Sequence, residues 1–161
     1  MNIVLHQPEI PHNTGAIGRT CLMTNSGLHL IRPFGFYLDE KSLKRSGLDY
    51  WHKLDVHEYD NFEEFQENNR NIRFFLVETG GRKTYAEVEY QPKDYLIFGS
   101  ETTGLPKWML ERYAEQIITI PMAGDERSLN LSVAVGIVLY EALRQNNFTN
   151  ICQHRCVEGY L

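Results

Sequence analysis

The sequence predicts an α/β fold: a single domain with a parallel sheet covered by helices on both faces. Three observations carry this. Short apolar runs, β-branched or aromatic and with little polar alternation, recur along the chain: NIVLH at 2–6, LHLI at 28–31, FFLV at 74–77, YLIF at 95–98 and IITI at 117–120. That composition belongs to strands buried on both faces. Helical patterns and polar loops alternate with these runs, the order that builds a parallel sheet. Finally, 161 residues with 42% hydrophobic and 23% charged side chains suit one globular domain with a sizeable core.

Taken in order, Asn2 to His6 reads as a first strand. Pro8 and Pro11 break the chain after it, and Asn13 is placed to cap a helix through Ile17, Arg19 and Cys21, with Gly27 at its end. Leu28 to Ile31 is a second strand, stopped by Pro33. A short helix is expected from Asp39, over DEKSLKRSG. Asp55 to Tyr59 reads as a weak third strand. Asp60 is placed to cap an acidic helix with Phe62 and Phe65 on one face. Phe74 to Val77 and Tyr95 to Phe98 are the fourth and fifth strands. Pro106 suits the first turn of the helix after the latter. Ile117 to Ile120 is the sixth strand.

The most apolar helical pattern follows a polar loop, and Ser128 or Asn130 caps its start. Leu131, Val135, Val138 and Ala142 make one stripe; Val133, Ile137 and Tyr140 make another. A helix apolar nearly all round needs cover on more than one side. Its first turn offers backbone N–H groups beside a loop, a place for a ligand as well as an ordinary capped helix start. Beyond Asn147 the periodicity fades, so residues 1–147 are expected to form the domain and 148–161 a tail, of the kind where mobility concentrates.

The net charge is -5 and the pI about 5.7, which argues against a broad non-specific nucleic-acid binder. A local basic group remains: Lys41, Lys44, Arg45 and Lys53, with Arg19 and Arg32 upstream. The start, MNIVLHQPEI, lacks a signal-peptide pattern, and no apolar run has membrane-span length, so a cytoplasmic location without membrane contact is expected. Three cysteines, an odd number, argue against a disulfide framework. Cys152, His154 and Cys156 lack an obvious fourth ligand for zinc, and no metal is expected.

Three polar loops fall at expected carboxyl ends of strands, where open α/β sheets bind ligands. They carry NTGAIGRTC at 13–21, FGSETTGLP at 98–106 and IPMAGDERSLNLS at 120–132. Gly99 and Gly104 would let backbone approach a ligand closely or adopt positive φ, or would simply form a tight turn. There is no GxGxxG after the first strand, no phosphate loop, no nucleophile elbow and no HExxH. Hydride transfer on a standard dinucleotide fold, phosphoryl transfer and metallohydrolysis lose ground accordingly.

Together the loops resemble the signature motifs of SPOUT, or α/β-knot, RNA methyltransferases. QPEIPHNTGAIGRTC, HLIRPFGF with LKRSGLDYW, DYLIFGSETTGLP, and IPMAGDERSLNLS with VLYEALRQ stand in the family's order, which is more specific than any single motif. Within that family the chain is similar to small tRNA ribose 2′-O-methyltransferases acting on the wobble nucleotide, cytidine or modified uridine 34. The resemblance implies S-adenosyl-L-methionine as methyl donor, a C-terminal trefoil knot, a homodimer, and tRNA, through its anticodon stem-loop, as partner. It implies cofactor contacts at Val77, Gly99, Glu101, Ile120, Ser128 and Leu129.

Arg19 matches the family's catalytic arginine. A guanidinium lacks a free lone pair and stays protonated, so a phosphate clamp that stabilises developing alkoxide fits it better than a base. Both roles stay open, as does an arginine paired structurally with Glu101 or Asp125. The chain also departs from the wobble pattern. Val133 follows LNLS where Asn is common, and Val there occurs in the group that methylates a D-loop guanosine ribose. Ala16 and Gly18 stand where Asn and a larger aliphatic residue are common, and Glu78 where Thr is frequent. The short N-terminus favours the wobble group. A D-loop enzyme and a non-catalytic RNA-binding module of the same fold are the alternatives.

Overall fold

The computed structural model describes residues 1–36, 50–124, 128–149 and 151. The expected helix from Asp39, the basic residues Lys41, Lys44 and Arg45, the polar-loop residues Asp125, Glu126 and Arg127, and the tail cysteines lie outside them.

Seven parallel strands form one sheet: β1 (Asn2–His6), β2 (Gly27–Ile31), β3 (Val56–Tyr59), β4 (Phe74–Val77), β5 (Lys83–Thr84), β6 (Tyr95–Phe98) and β7 (Ile117–Thr119). Their order is β3-β2-β1-β6-β4-β7-β5. The chain starts mid-sheet, builds out to one edge, crosses to found the other half, and then slots β6 between β1 and β4 and β7 between β4 and β5. The strand missed by the sequence reading, β5, has two residues in a polar stretch and no apolar run to announce it.

Helices α1 (Pro11–Thr24) and α4 (Leu131–Gln145) cover one face of the sheet. Helices α2 (Phe62–Asn68) and α3 (Lys107–Arg112) cover the other. Ile3, Leu5, Leu28, Leu30, Leu96 and Phe98 point to the α1–α4 side, while Val4, Ile31, Leu76 and Ile97 point away, as strand alternation requires. Cys21 packs in the first layer with no exposure, and burial pushes its thiol up to about 12, so it serves as a small apolar filler.

The helix starts correct the sequence reading. Helix α1 begins at Pro11 with Ile10 as cap, two residues before Asn13, because Pro fits the first helical position. Its end is closed by Asn25 in the left-handed region (φ 51°), not by Gly27, which opens β2. Helix α2 is capped by Asn61, not Asp60: the Asn61 side chain accepts from the Glu64 N–H (2.8 Å), and Glu64 reaches back to the Asp60 N–H. At α4, Asn130 is the cap.

Opposite α1 lies a buried aromatic group. His29 on β2 stacks on His57 of β3 (centroids 4.9 Å) and meets the Tyr59 hydroxyl through Nδ1 at 2.9 Å. Burial, then the neighbouring His57, push its pKa down to about 4, against the pull of Asp55. The unfolded chain therefore takes up a proton near pH 6.5 that the folded chain refuses until about pH 4. Stability is expected to fall as pH drops through that window, by up to about 3 kcal/mol from this residue. Urea midpoints between pH 7 and pH 4 test this. His29→Gln should show a shallower slope, keeping the part owed to His6, also pushed down by burial, and to carboxylates. An unchanged slope would remove His29 from the acid response.

Candidate functional site

The carboxyl ends of β4, β6 and β7 lie side by side in the sheet, and the loops leaving them enclose a cleft of about 1110 Å³. All six residues expected to contact a cofactor line it: Val77, Gly99, Glu101, Ile120, Ser128 and Leu129. Phe98, Leu131 and Ala134 add apolar wall, and Ser100, Thr102 and Thr103 add hydroxyls. Arg19 does not line it. It lies exposed on α1, with its guanidinium 5.1 Å from the Tyr50 ring centroid, and the Tyr50 hydroxyl donates to the Gly15 carbonyl (2.7 Å). No ion pair joins Arg19 to Glu101.

Glu101 has other partners. Its carboxylate accepts from the Glu9 N–H (2.8 Å), the Ile10 N–H (3.2 Å) and the Asn13 side-chain amide (3.0 Å). Asn13 accepts in turn from the Asn130 amide (2.9 Å), and Asn130 accepts from the Ser132 N–H (2.9 Å). One hydrogen-bonded chain thus ties the loop after β1, the loop after β6 and the start of α4. Charge-assisted bonds of this kind hold geometry well. Asn13, read from sequence as a cap, is a buried strut. The α4 amides, read either as a place for a ligand or as an ordinary capped start, are partly engaged: the Ser132 N–H goes to the Asn130 side chain and those of Val133 and Ala134 to its carbonyl. Thr102 adds a further tie to the Glu9 carboxylate.

The two glycines of the loop after β6 let it fold on itself. A Cβ on Gly99 would sit 2.1 Å from the Gly104 carbonyl carbon. Gly104 has φ +67°, and a Cβ there would meet the Glu78 carboxylate at 2.5 Å. Gly99→Val, which the sequence alone would read as a plug in the ligand space, collides first with backbone. We expect lost ligand binding together with a lower melting temperature, because the loop must open to admit the side chain. Calorimetry and thermal melting of the variant check both; normal affinity would remove this loop from the binding site.

The residues fit S-adenosylmethionine. The volume is that of a nucleoside-sized ligand pocket or larger, the apolar wall suits a purine, and the charged side chains among the described lining residues, Glu78 and Glu101, are both acidic, as suits a cationic ligand. Parallel strands, this cleft and the late loops around it define a SPOUT-fold methyltransferase. Residues 1–140 match the SpoU rRNA Methylase family, and the chain belongs to it.

It is 49% identical over 146 residues to the tRNA (cytidine(34)-2′-O)-methyltransferase of Escherichia coli K12, covering 90% of this chain and 93% of that protein. It is 46% identical to the Yersinia pestis enzyme of the same name, over 90% and 93%. A solved structure concerned with 2-OH methylation of C/U34 on tRNA superposes with a TM-score of 0.84 at 46% identity, over 91% of this chain and 95% of that one. The AdoMet-bound rRNA methyltransferase of Sinorhizobium meliloti superposes at 0.76 with 30% identity, over 89% and 55%.

Proposed function

We propose that this chain transfers a methyl group from S-adenosylmethionine to the ribose 2′-hydroxyl of the wobble nucleotide of tRNA, cytidine or uridine 34. The observation that carries it is the convergence of the three motif loops on one cleft lined by all six expected cofactor residues. Near full-length identity to enzymes named for that reaction supports the target position.

Bound S-adenosylmethionine supplies an electrophilic methyl on a sulfonium sulfur. The chain positions it: the Gly99–Gly104 turn and the segment through Ile120 and Leu129 shape the cleft, and the Glu101–Asn13–Asn130 bonds hold those loops in register. Much of the rate can come from such alignment. Arg19, outside the cleft and turned to solvent, clamps the phosphate beside the target ribose and stabilises alkoxide as it forms. The proton leaves to a phosphate oxygen or a water. The working unit is a homodimer: Val133 (49% exposed) and Tyr140 (52% exposed), the two ends of the second apolar stripe on α4, stand exposed in the single chain. The protein acts in the cytoplasm, where its substrate is.

Purified protein incubated with unmethylated tRNA and S-adenosylmethionine, followed by nuclease mapping and mass spectrometry, tests the reading. A 2′-O-methyl at position 34 is expected. Methylation confined to a D-loop guanosine, the alternative kept open by Val133, or no methylation at all, would overturn it.

A further inference from the structure

Glu78 stands where β4 gives way to the cleft. Its N–H donates to the Ile118 carbonyl at 3.1 Å, so the backbone is fixed in the sheet ladder. Its carboxylate is fixed too: one oxygen accepts from the Thr79 N–H (2.9 Å), the other from the Leu105 N–H (2.9 Å). The space a Gly104 side chain would fill is taken by this carboxylate. The result is a preorganised negative charge on the cleft wall. Among the described lining residues only Glu101 shares its sign, and none is cationic. Glu101 is fixed in the same way, by the Glu9 and Ile10 N–H groups and by the Asn13 side-chain amide on α1, so the cleft wall carries two held negative charges.

We infer that Glu78 is a specificity-determining residue that makes the cleft prefer the positively charged methyl donor over its neutral product. This rests on the cleft being the S-adenosylmethionine site. The donor carries a sulfonium, an ammonium and a carboxylate, a net charge of plus one. In transfer, the methyl carbon bonds to the ribose oxygen and the sulfur–methyl electron pair returns to sulfur. The hydroxyl proton goes to a base, and S-adenosylhomocysteine, a thioether of zero net charge, remains. A fixed carboxylate in a partly enclosed site attracts the first species more than the second. Turnover therefore removes the attraction that held the donor, and Glu78 favours exchange of product for fresh donor.

The test is calorimetric binding of S-adenosylmethionine and S-adenosylhomocysteine to the intact protein and to Glu78→Gln and Glu78→Asp. The ratio of the two affinities is the readout, since damage to the loop lowers both together. Glu78→Gln is expected to shift the ratio toward the product by about tenfold, while Glu78→Asp keeps it within about threefold of the parent. An unshifted ratio in Glu78→Gln, with both affinities lowered equally, would make the residue purely structural and overturn the inference. If that variant binds neither ligand, the parent protein decides. Its relative preference for the donor should fall as salt is raised from about 50 mM to about 500 mM, because screening acts on the charged ligand; a salt-independent ratio overturns the inference. Failure of the parent to bind either ligand would instead refute the cofactor site itself.

Discussion

Arg19→Ala is expected to slow single-turnover methylation of tRNA by about 10²-fold or more, the scale for losing one preorganised electrostatic group. Affinity for S-adenosylmethionine should stay unchanged, since Arg19 lies outside the cleft lined by all six residues proposed to contact the cofactor. The fold should survive as well. The side chain is exposed and its described contact is with the face of Tyr50, an arrangement worth about 0.5–1 kcal/mol at such sites. Arg19→Lys sharpens the case. Lysine keeps the charge but lacks the planar fork that grips two phosphate oxygens, so it should recover little activity. Rapid-quench methylation at saturating tRNA, beside cofactor calorimetry, measures both quantities. A near-normal rate in Arg19→Ala would leave the guanidinium as surface and sink the mechanism.

Tyr140→Asp is expected to turn a dimer into a folded monomer. Within one chain Tyr140 is 52% exposed, and Val133, seven positions earlier on the same face, is 49% exposed. A carboxylate at 140 therefore costs the isolated chain little. Against a second copy it would be buried without a partner, which is expensive. Sedimentation should show half the parental mass, with circular dichroism and cofactor binding retained. A variant that remains a tight dimer would place the interface elsewhere and leave the stripe unexplained.

Much of this architecture was legible in the chain. The strands at 2–6, 74–77 and 95–98 coincide with the apolar runs, because a strand buried on both faces has no choice but continuous apolar side chains. The loops singled out in the sequence line the cleft. What the sequence hid were ties over long separations. Asn13 and Asn130 both look like helix caps, and only the folded sheet shows that they bond to each other. Glu101 reads as a ligand contact, and only the fold shows that its carboxylate also holds the loop after β1. Local propensity governs which residue suits a cap; it cannot say which other loop will arrive within 3 Å. The same limit hid what the Glu78 carboxylate meets, a Leu105 amide on another strand's loop.

The interleaved strand order has a consequence for how the protein is made. A ribosome delivers β1 through β5 before β6, yet β6 belongs between β1 and β4, and β7 between β4 and β5. A nascent chain stopped before residue 95 holds one three-stranded half-sheet, β3-β2-β1, while β4 and β5 still lack the strands they pair with, the kind of open edge that sticks to neighbours. Asn130, which closes the hydrogen-bonded chain to Asn13, emerges later still. The pocket therefore cannot exist before the start of α4 has emerged, and until then the unpaired strands are open to the misassembly that chaperones guard against.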